Sequence, residues 1–360
     1  MWQELDKLQS PQTTFQRLNV IGPPGTGKSM VAWAWTCYTA FGLPDTQRKS
    51  ILWAHLNKGD SRIHLCHFVD GQIKTYQEGS KRFFEAIKNV DADLMVIDGI
   101  TNKEYDSFSS GATSWMLDFP SKKCKVAVIT SGGVVIPSEK LKRAQIKEWH
   151  MPSWTWENYV AACNNDKFYK QVIKYLPEYS SKHDRLASKF FMAGSSARWM
   201  FSFGMQDLEQ EIKRQLRRVT NKEWILKDLS DDCCEGAVGH LRSEDKEKSV
   251  TFVSQYVMIE VSKTCELSFI KDAYRFLNTH NNPAFKGWVV EFDFLGQLHQ
   301  ALRHNTKVFV RKDNQEFQLP VTEIKYVDPD GDLNGFPLKN VKKHDGLWLI
   351  PIRWNQVHIP

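Results

Sequence analysis

The segment Gly22-Pro23-Pro24-Gly25-Thr26-Gly27-Lys28-Ser29 constrains this chain more than any other. It fits the pattern G-x-x-x-x-G-K-[ST]. Gly25 and Gly27 let the backbone curl tightly and aim successive N–H groups inward. Those donors, with the N-terminus of a following helix, form a nest for phosphate oxygens. In such a nest Lys28 reaches the β- and γ-phosphates and the Ser29 hydroxyl ligates Mg²⁺. The flanks agree. The run Leu18-Asn19-Val20-Ile21 reads as a strand before the loop, and Lys28–Phe41, rich in Ala and Trp, reads as a helix after it. ATP and Mg²⁺ are the expected cofactors, with Gly22, Pro23, Pro24, Gly25, Thr26, Gly27, Lys28 and Ser29 around the nucleotide. The alternative is a Gly/Pro turn beside an unrelated Lys.

Leu94-Met95-Val96-Ile97-Asp98 supports the loop reading. Four apolar residues ending in an acid suit a buried strand that delivers Asp98 to the C-terminal edge of a sheet, where it holds a Mg²⁺-bound water. Lys28 and Asp98 are therefore expected to be catalytic, and Ser29 and Asp98 to hold the metal. Gly99 stands where many ATPases carry a Glu that orients the attacking water, so the hydrolytic base is not identified. Asp70 and Glu104 are candidates, and ATP used as a slow switch is an alternative. Val126–Ser131 reads as a further core strand, with Thr130 placed either to sense the γ-phosphate or simply to begin a turn. Ala193–Phe201 is a small-residue loop opening a helix. Its Arg198 could present a bidentate guanidinium to the nucleotide or form a surface ion pair.

Strand-like runs (17–21, 50–56, 62–69, 94–97, 125–130) alternate with helical ones over the first part of the chain. That pattern predicts an α/β fold with a parallel sheet between helices. From Trp154 the pattern turns helical, at Glu157–Leu176 and Met205–Val219. Later, strand-like runs return at Val250–Glu260, Lys307–Val310 and Leu347–Ile352. A helix is expected at Ala284–Arg303 from apolar residues recurring at three and four. The expected organisation is a nucleotide-binding core at 1–150, a helical lid at 151–225 and a smaller α+β domain at 226–360.

Composition excludes several classes. No apolar run approaches the ~18 residues of a membrane span, and the N-terminus lacks the basic and apolar regions of a secretory signal. The seven Cys are odd in number with no C-x-x-C pair, which does not read as a disulfide framework. A net charge of +6 permits phosphate-bearing partners without showing them. His64, Cys66 and His67 are clustered, but strand alternation separates His67 from the other two, which argues against a metal site. The basic patch Lys213, Arg214, Arg217 and Arg218 reads as a solvated helix face. Glu323-Ile324-Lys325 with Asp313 imitates the acid and Lys core of many nucleases.

GPPGTGKS, VIDG, WTWENYVAAC and above all AGSSARWMF resemble the Crinkler proteins, described mainly from oomycetes, over roughly residues 15–205. The resemblance implies a P-loop NTPase followed by a restriction-endonuclease-like domain, in effectors that are secreted and enter host cells, often the nucleus. It places the family's loop on Gly22–Ser29, its acidic strand end on Asp98 and its Arg-bearing segment on Arg198. Glu291 would be the nuclease's first carboxylate. The implied partners are a host nuclear protein or DNA, with no membrane. No trafficking header precedes Met1, and the chain stops at Pro360 before a later acid and Lys, so a truncated or inactive nuclease is expected. Three functions follow: a Mg²⁺-dependent ATP hydrolase or switch, an ATP-regulated DNA nuclease, and a non-catalytic binder of host proteins.

Overall fold

The computed structural model describes residues 1–56, 62–100, 102–119, 124–130, 145–220, 225, 236–246, 250–263, 283–312, 315–327 and 347–351. The chain divides into two compact units. One comprises Met1–Ser153, Asp228–His240 and Glu244–Lys248; the other comprises Trp154–Lys227, Leu241–Ser243 and Ser249–Pro360.

The first unit is built on a seven-stranded sheet. Its strands are β1 (Arg17–Ile21), β2 (Ile51–Leu56), β3 (Arg62–Val69), β4 (Gln72–Gly79), β5 (Leu94–Ile100), β6 (Lys125–Thr130) and β7 (Ile146–His150), in the order β4-β3-β2-β5-β6-β1-β7. The five strands β2, β5, β6, β1 and β7 run parallel. The expected parallel sheet is present in these five strands, and at one edge β3 and β4 add to it in antiparallel pairing. There a tight turn at Asp70-Gly71, both with positive φ, reverses the chain without a crossover helix. β4 is polar and mostly exposed, so it lacks the apolar run that marks the central strands.

Alternation along the strands sorts their side chains onto two faces. Leu18 and Val20, Ile51 and Trp53, Leu94 and Val96, and Ala127 and Ile129 pack with Leu5 and Leu8 of α1 (Trp2–Gln9) and with Ala32 and Trp35 of α2 (Lys28–Cys37). Leu52 and Ala54, Met95 and Ile97, and Val126 and Val128 pack on the other face with α3 (Phe83–Ile87) and α4 (Asn102–Asp118). Helices therefore cover both faces, as the alternation of elements predicts. α1 was not foreseen, because Trp2–Gln9 reads as polar. Its inward Leu5 and Leu8 are fully buried, and Asp6 accepts a hydrogen bond from the Trp35 indole at 2.8 Å.

α4 is also absent from the sequence reading, and its composition explains why. Ser, Gly and Thr interrupt it, and these favour turns over helix. The helical spacing survives in Tyr105, Phe108, Ala112 and Trp115, all buried. The small polar residues meet a buried cation. Arg17 on β1 donates to the Ser109 hydroxyl at 2.6 Å, the Ser109 carbonyl at 3.1 Å and the Thr113 hydroxyl at 2.8 Å. A guanidinium taken out of water needs those acceptors, so helix propensity yields to the hydrogen-bond demand of the facing strand.

The second unit begins with a helical stretch. Thr155 caps α5 (Trp156–Cys163) in a reciprocal capping box with Asn158. The chain breaks at Asn164-Asn165, and Asn165 caps α6 (Asp166–Val172). The single helix expected at Glu157–Leu176 is therefore two, and the break coincides with a good N-cap residue. α7 (Lys182–Ala193), α8 (Ala197–Ser202) and α9 (Met205–Arg218) follow. The long strand expected over Val250–Glu260 is corrected. β9 covers only Val250–Phe252, after which Ser254 caps α11 (Gln255–Ser262) by accepting from the Val257 amide at 3.2 Å. Local capping overrides the β-branched composition there. β8 is Arg242–Glu244 and α10 is Gly236–Leu241. Beyond them lie α12 (Pro283–His304), the antiparallel hairpin β10 (Lys307–Lys312) and β11 (Gln315–Pro320), and the parallel pair β12 (Glu323–Val327) and β13 (Leu347–Pro351). Leu298 and Ala301 of α12 pack with Val308 and Val321 in a small satellite core.

The segment AGSSARWMF is a structural junction within this unit. Gly194 ends α7 at φ 53°, ψ −129°, and a Cβ there would lie 1.8 Å from the Val253 carbonyl oxygen. The Ser195 amide donates to that same carbonyl at 2.9 Å, and the Ser195 carbonyl accepts from Trp154 at 3.1 Å. Ser196 then caps α8. Gly194→Ala is expected to destabilise the protein by roughly 3 kcal/mol or more, since backbone must move to admit the methyl group. Denaturant unfolding checks this.

Lys189 on α7 is fully buried, its ammonium donating to the Phe203 carbonyl at 2.6 Å. Burial lowers its pKa from 10.5 to about 8. Between those values the unfolded chain holds the proton and the folded chain does not, so this group's contribution to stability rises with pH across that window. Below pH about 8 the cost of the buried charge is fully present. Lys189→Met is expected to flatten that rise, as read from unfolding midpoints on either side of the window.

Candidate functional site

The loop leaves the end of β1, which is anchored by the Met151 amide donating to the Ile21 carbonyl at 2.7 Å. Gly25 and Gly27 take positive φ of 84° and 94°, the conformations the tight curl requires. Gly27 is the N-cap of α2 and supplies no side-chain cap, so the helix N-terminus is left to another acceptor. Thr26 is buried and its hydroxyl donates to the Pro23 carbonyl at 3.1 Å. Lys28 is only 8% exposed. Its ammonium donates to the Gly22 and Pro23 carbonyls, each at 2.7 Å, and approaches the Thr26 hydroxyl at 3.4 Å.

Asp98 is 2% exposed and reaches the loop from β5. Its position follows from alternation: Leu94, Val96 and Asp98 share the face covered by α2. Ser29, in the first turn of α2, donates its hydroxyl to Asp98 Oδ1 at 2.8 Å. A register irregularity lies between Asp98 and Ile100, and it returns Ile100 to the opposite face with Met95 and Ile97. Gly99 makes this possible. Its φ is 84°, and a Cβ on it would stand 2.4 Å from the Leu56 carbonyl oxygen. A glutamate at this position is sterically excluded.

The structure adds a residue that the sequence reading missed. β2 lies beside β5 in parallel register, pairing His55 with Asp98. The His55 ring places Nδ1 2.8 Å from Asp98 Oδ2. A carboxylate oxygen accepts, so the Nδ1–H of His55 donates to it. Both oxygens of Asp98 are thus engaged, one by Ser29 and one by His55. The only sequence signal was a His near the end of a core strand. It gains meaning once β2 is known to be the neighbour of β5.

The other expected residues fall as follows. Pro23 and Pro24 lie in the loop with Gly22. Thr130 ends β6 and donates to the Ile100 carbonyl at 3.2 Å; alternation gives it the α4 face, opposite to that of Asp98. Asp70 is corrected as a candidate base. β3 runs antiparallel to β2, with Phe68 opposite Ile51, so Asp70 emerges at the end of the sheet remote from Asp98. Glu104 is in the first turn of α4, directly after β5. Arg198 is an exposed residue of α8 in the second unit. Glu291 lies on α12, and Glu323 and Lys325 on β12, all with side chains outside the described residues; Asp313 is outside them altogether. Among the described residues no group of three or more His, Cys, Asp or Glu could hold a metal, and no helix is long and apolar enough to cross a membrane.

A glycine-bent loop between a strand and a helix, carrying Lys and Ser and joined by an acid from a neighbouring strand, has the geometry of a phosphate-binding loop at the C-terminal edge of an α/β sheet. The oxygen donors Ser29 Oγ and Asp98 Oδ1 suit a hard divalent cation such as Mg²⁺. No protein-family model and no curated protein matches the chain. Among solved structures, the S. cerevisiae Hsp104–ADP complex is similar with a TM-score of 0.37 at 12% identity, over 84% of this chain and 40% of that one. The large terminase ATPase domain of a Thermus phage is similar with a TM-score of 0.25 at 12% identity, over 48% of this chain and 88% of that one. The present chain therefore spans 40% of the length of the Hsp104 chain. Likenesses at these scores carry no weight, and the description of the site rests on the chain's own loop and strand order.

Gly99→Ala is expected to destabilise the first unit by roughly 1–3 kcal/mol, from positive φ together with the clash on Leu56. Thermal unfolding of the purified variant checks it.

Proposed function

We propose that this chain binds ATP with Mg²⁺ in the loop at Gly22–Ser29 and acts as an ATP hydrolase or ATP-driven switch. The observation that carries the reading is the hydrogen bond from Ser29 to Asp98. It joins the residue after the loop's Lys to a buried acid from a separate strand, a meeting with no purpose in an ordinary Gly/Pro turn. The uncapped N-terminus of α2 supports the same reading, because its amides suit an anion.

On this reading the loop amides hold the phosphates. Lys28 exchanges its contacts with the Gly22 and Pro23 carbonyls for β- and γ-phosphate oxygens. Ser29 and Asp98 hold Mg²⁺, which when bound neutralises charge on the phosphates. Asp98, fixed by the sheet, needs no rearrangement to do so, and such preorganisation lowers the cost of developing charge. The Crinkler resemblance supports the same chemistry. It extends the proposal to an effector delivered to a host cell, where ATP would gate contact with a host partner.

Lys28→Ala is expected to weaken ATP binding by about 10- to 100-fold, the worth of a charge-assisted contact of roughly 1.5–3 kcal/mol. Calorimetric titration tests it, and unchanged affinity would remove the proposal. In Ser29→Ala, binding should lose most of its dependence on Mg²⁺, which the same titration reads with and without the metal.

A further inference from the structure

The seven-stranded sheet ends on two strands of unlike character. β7 is five residues long and half-buried throughout, and its Lys147 is tied to Glu4 of α1 at 2.7 Å. β4, at the other edge, runs for eight residues, of which Gln72, Ile73, Lys74, Thr75 and Gln77 are exposed. It pairs with β3 in an unbroken register, from Val69 and Gln72 to Arg62 and Gly79, and no described strand lies on its outer side. Such an edge offers a row of open N–H and C=O groups to any extended chain. Proline, a bulge or a very short strand commonly blunts it. β4 has none of these.

What β4 does carry is two opposite charges placed symmetrically about one residue. Lys74 and Glu78 stand two positions either side of Tyr76, so the three share a face. Tyr76 is half-buried there against the core under α3 and α4. Across the existing pair, β3 sets His67 opposite Lys74 and Ile63 opposite Glu78, so neither charge meets its opposite. Among the described residues neither has an ion-pair partner.

We propose that two copies of this chain join edge to edge through β4, antiparallel, about a two-fold axis at Tyr76. An axis of this kind runs perpendicular to the sheet and sets one residue opposite its own copy. With Tyr76 at the axis, Lys74 of each copy faces Glu78 of the other, twice over. On the other face Thr75 meets Gln77, and Ile73, an apolar side chain 48% exposed in the single chain, is covered opposite Gly79. Centring the pair on Lys74 or on Glu78 sets like charges face to face, which opposes pairing. Centring it on Thr75 or Gln77 leaves both charges with no opposite charge directly across. Charge complementarity therefore selects the occupant as well as the register. The strand that offers a lysine and a glutamate four residues apart, in reversed direction, is β4 itself. The interface is isologous, so it closes the open edge of both copies and stops at two.

The pairing of one strand is a small interface, so a weak dimer is expected, with Kd on the order of 10 µM. The test uses the full chain without nucleotide. Sedimentation velocity over about 1–200 µM should show a mass rising from one chain toward two. Lys74→Glu and Glu78→Lys each set like charges across the axis twice, and each should weaken the dimer about tenfold or more. Mixing the two variants should restore association, because a copy with two acids then meets a copy with two lysines. The double variant K74E/E78K should restore it as well, with the pair reversed. Melting temperatures of the dilute proteins should match wild type.

A single-chain mass at every concentration overturns the proposal, whether β4 stays open or takes an extended segment of another protein. A dimer indifferent to both reversals overturns it, since another surface then makes the contact. So does loss of association in the single variants with no recovery on mixing. Should one reversal fail to fold, the other and the double variant still decide between these results.

Discussion

The Asp98 carboxylate, held between one hydroxyl and one imidazole donor, ties β5 to α2 and β2 in the first unit. Ser29 reaches it from α2, and His55 reaches it from β2. For that meeting, β5 must deliver Asp98 on the α2 face while Ile100 stays packed against α4. A strictly alternating strand can do both only by inserting one residue, and the inserted residue must tolerate positive φ with a carbonyl pressed against it. Gly99 meets both conditions. A local backbone irregularity therefore sets the geometry of the whole constellation, as bulges beside functional sites commonly do.

Much of this could be read from the chain. The GxxxxGKS loop fixes a strand before it and a helix after it, and both are present as β1 and α2. The apolar runs of β2, β5 and β6 are buried on both faces, which leaves a signal that needs no neighbour to interpret it. What escaped was decided by partners far away in sequence. α4 has poor helix propensity because Ser109 and Thr113 serve Arg17, a residue more than ninety positions earlier. His55 meets Asp98 only through the order of strands. Asp70 looked plausible until the antiparallel run of β3 against β2 placed it at the opposite end of the strands from Asp98.

The second unit teaches the same lesson from the other side. Its most distinctive motif, AGSSARWMF, contains the small residues and Arg that one associates with phosphate chemistry. Most of its composition answers to packing: Gly194 beneath the Val253 carbonyl, Ser195 bridging two backbone segments and Ser196 capping a helix. Only Arg198 is exposed and unassigned to that junction. Motif resemblance and folding necessity thus occupy the same residues, and the structure tells them apart.

The folded-back ammonium of Lys28 has one more consequence. It already donates to two carbonyls of the same curl, so the side chain staples the turn that carries it. A substitution that removes the ammonium also takes that donor from the buried Gly22 and Pro23 carbonyls, a cost to the local fold that is separate from any effect on a ligand.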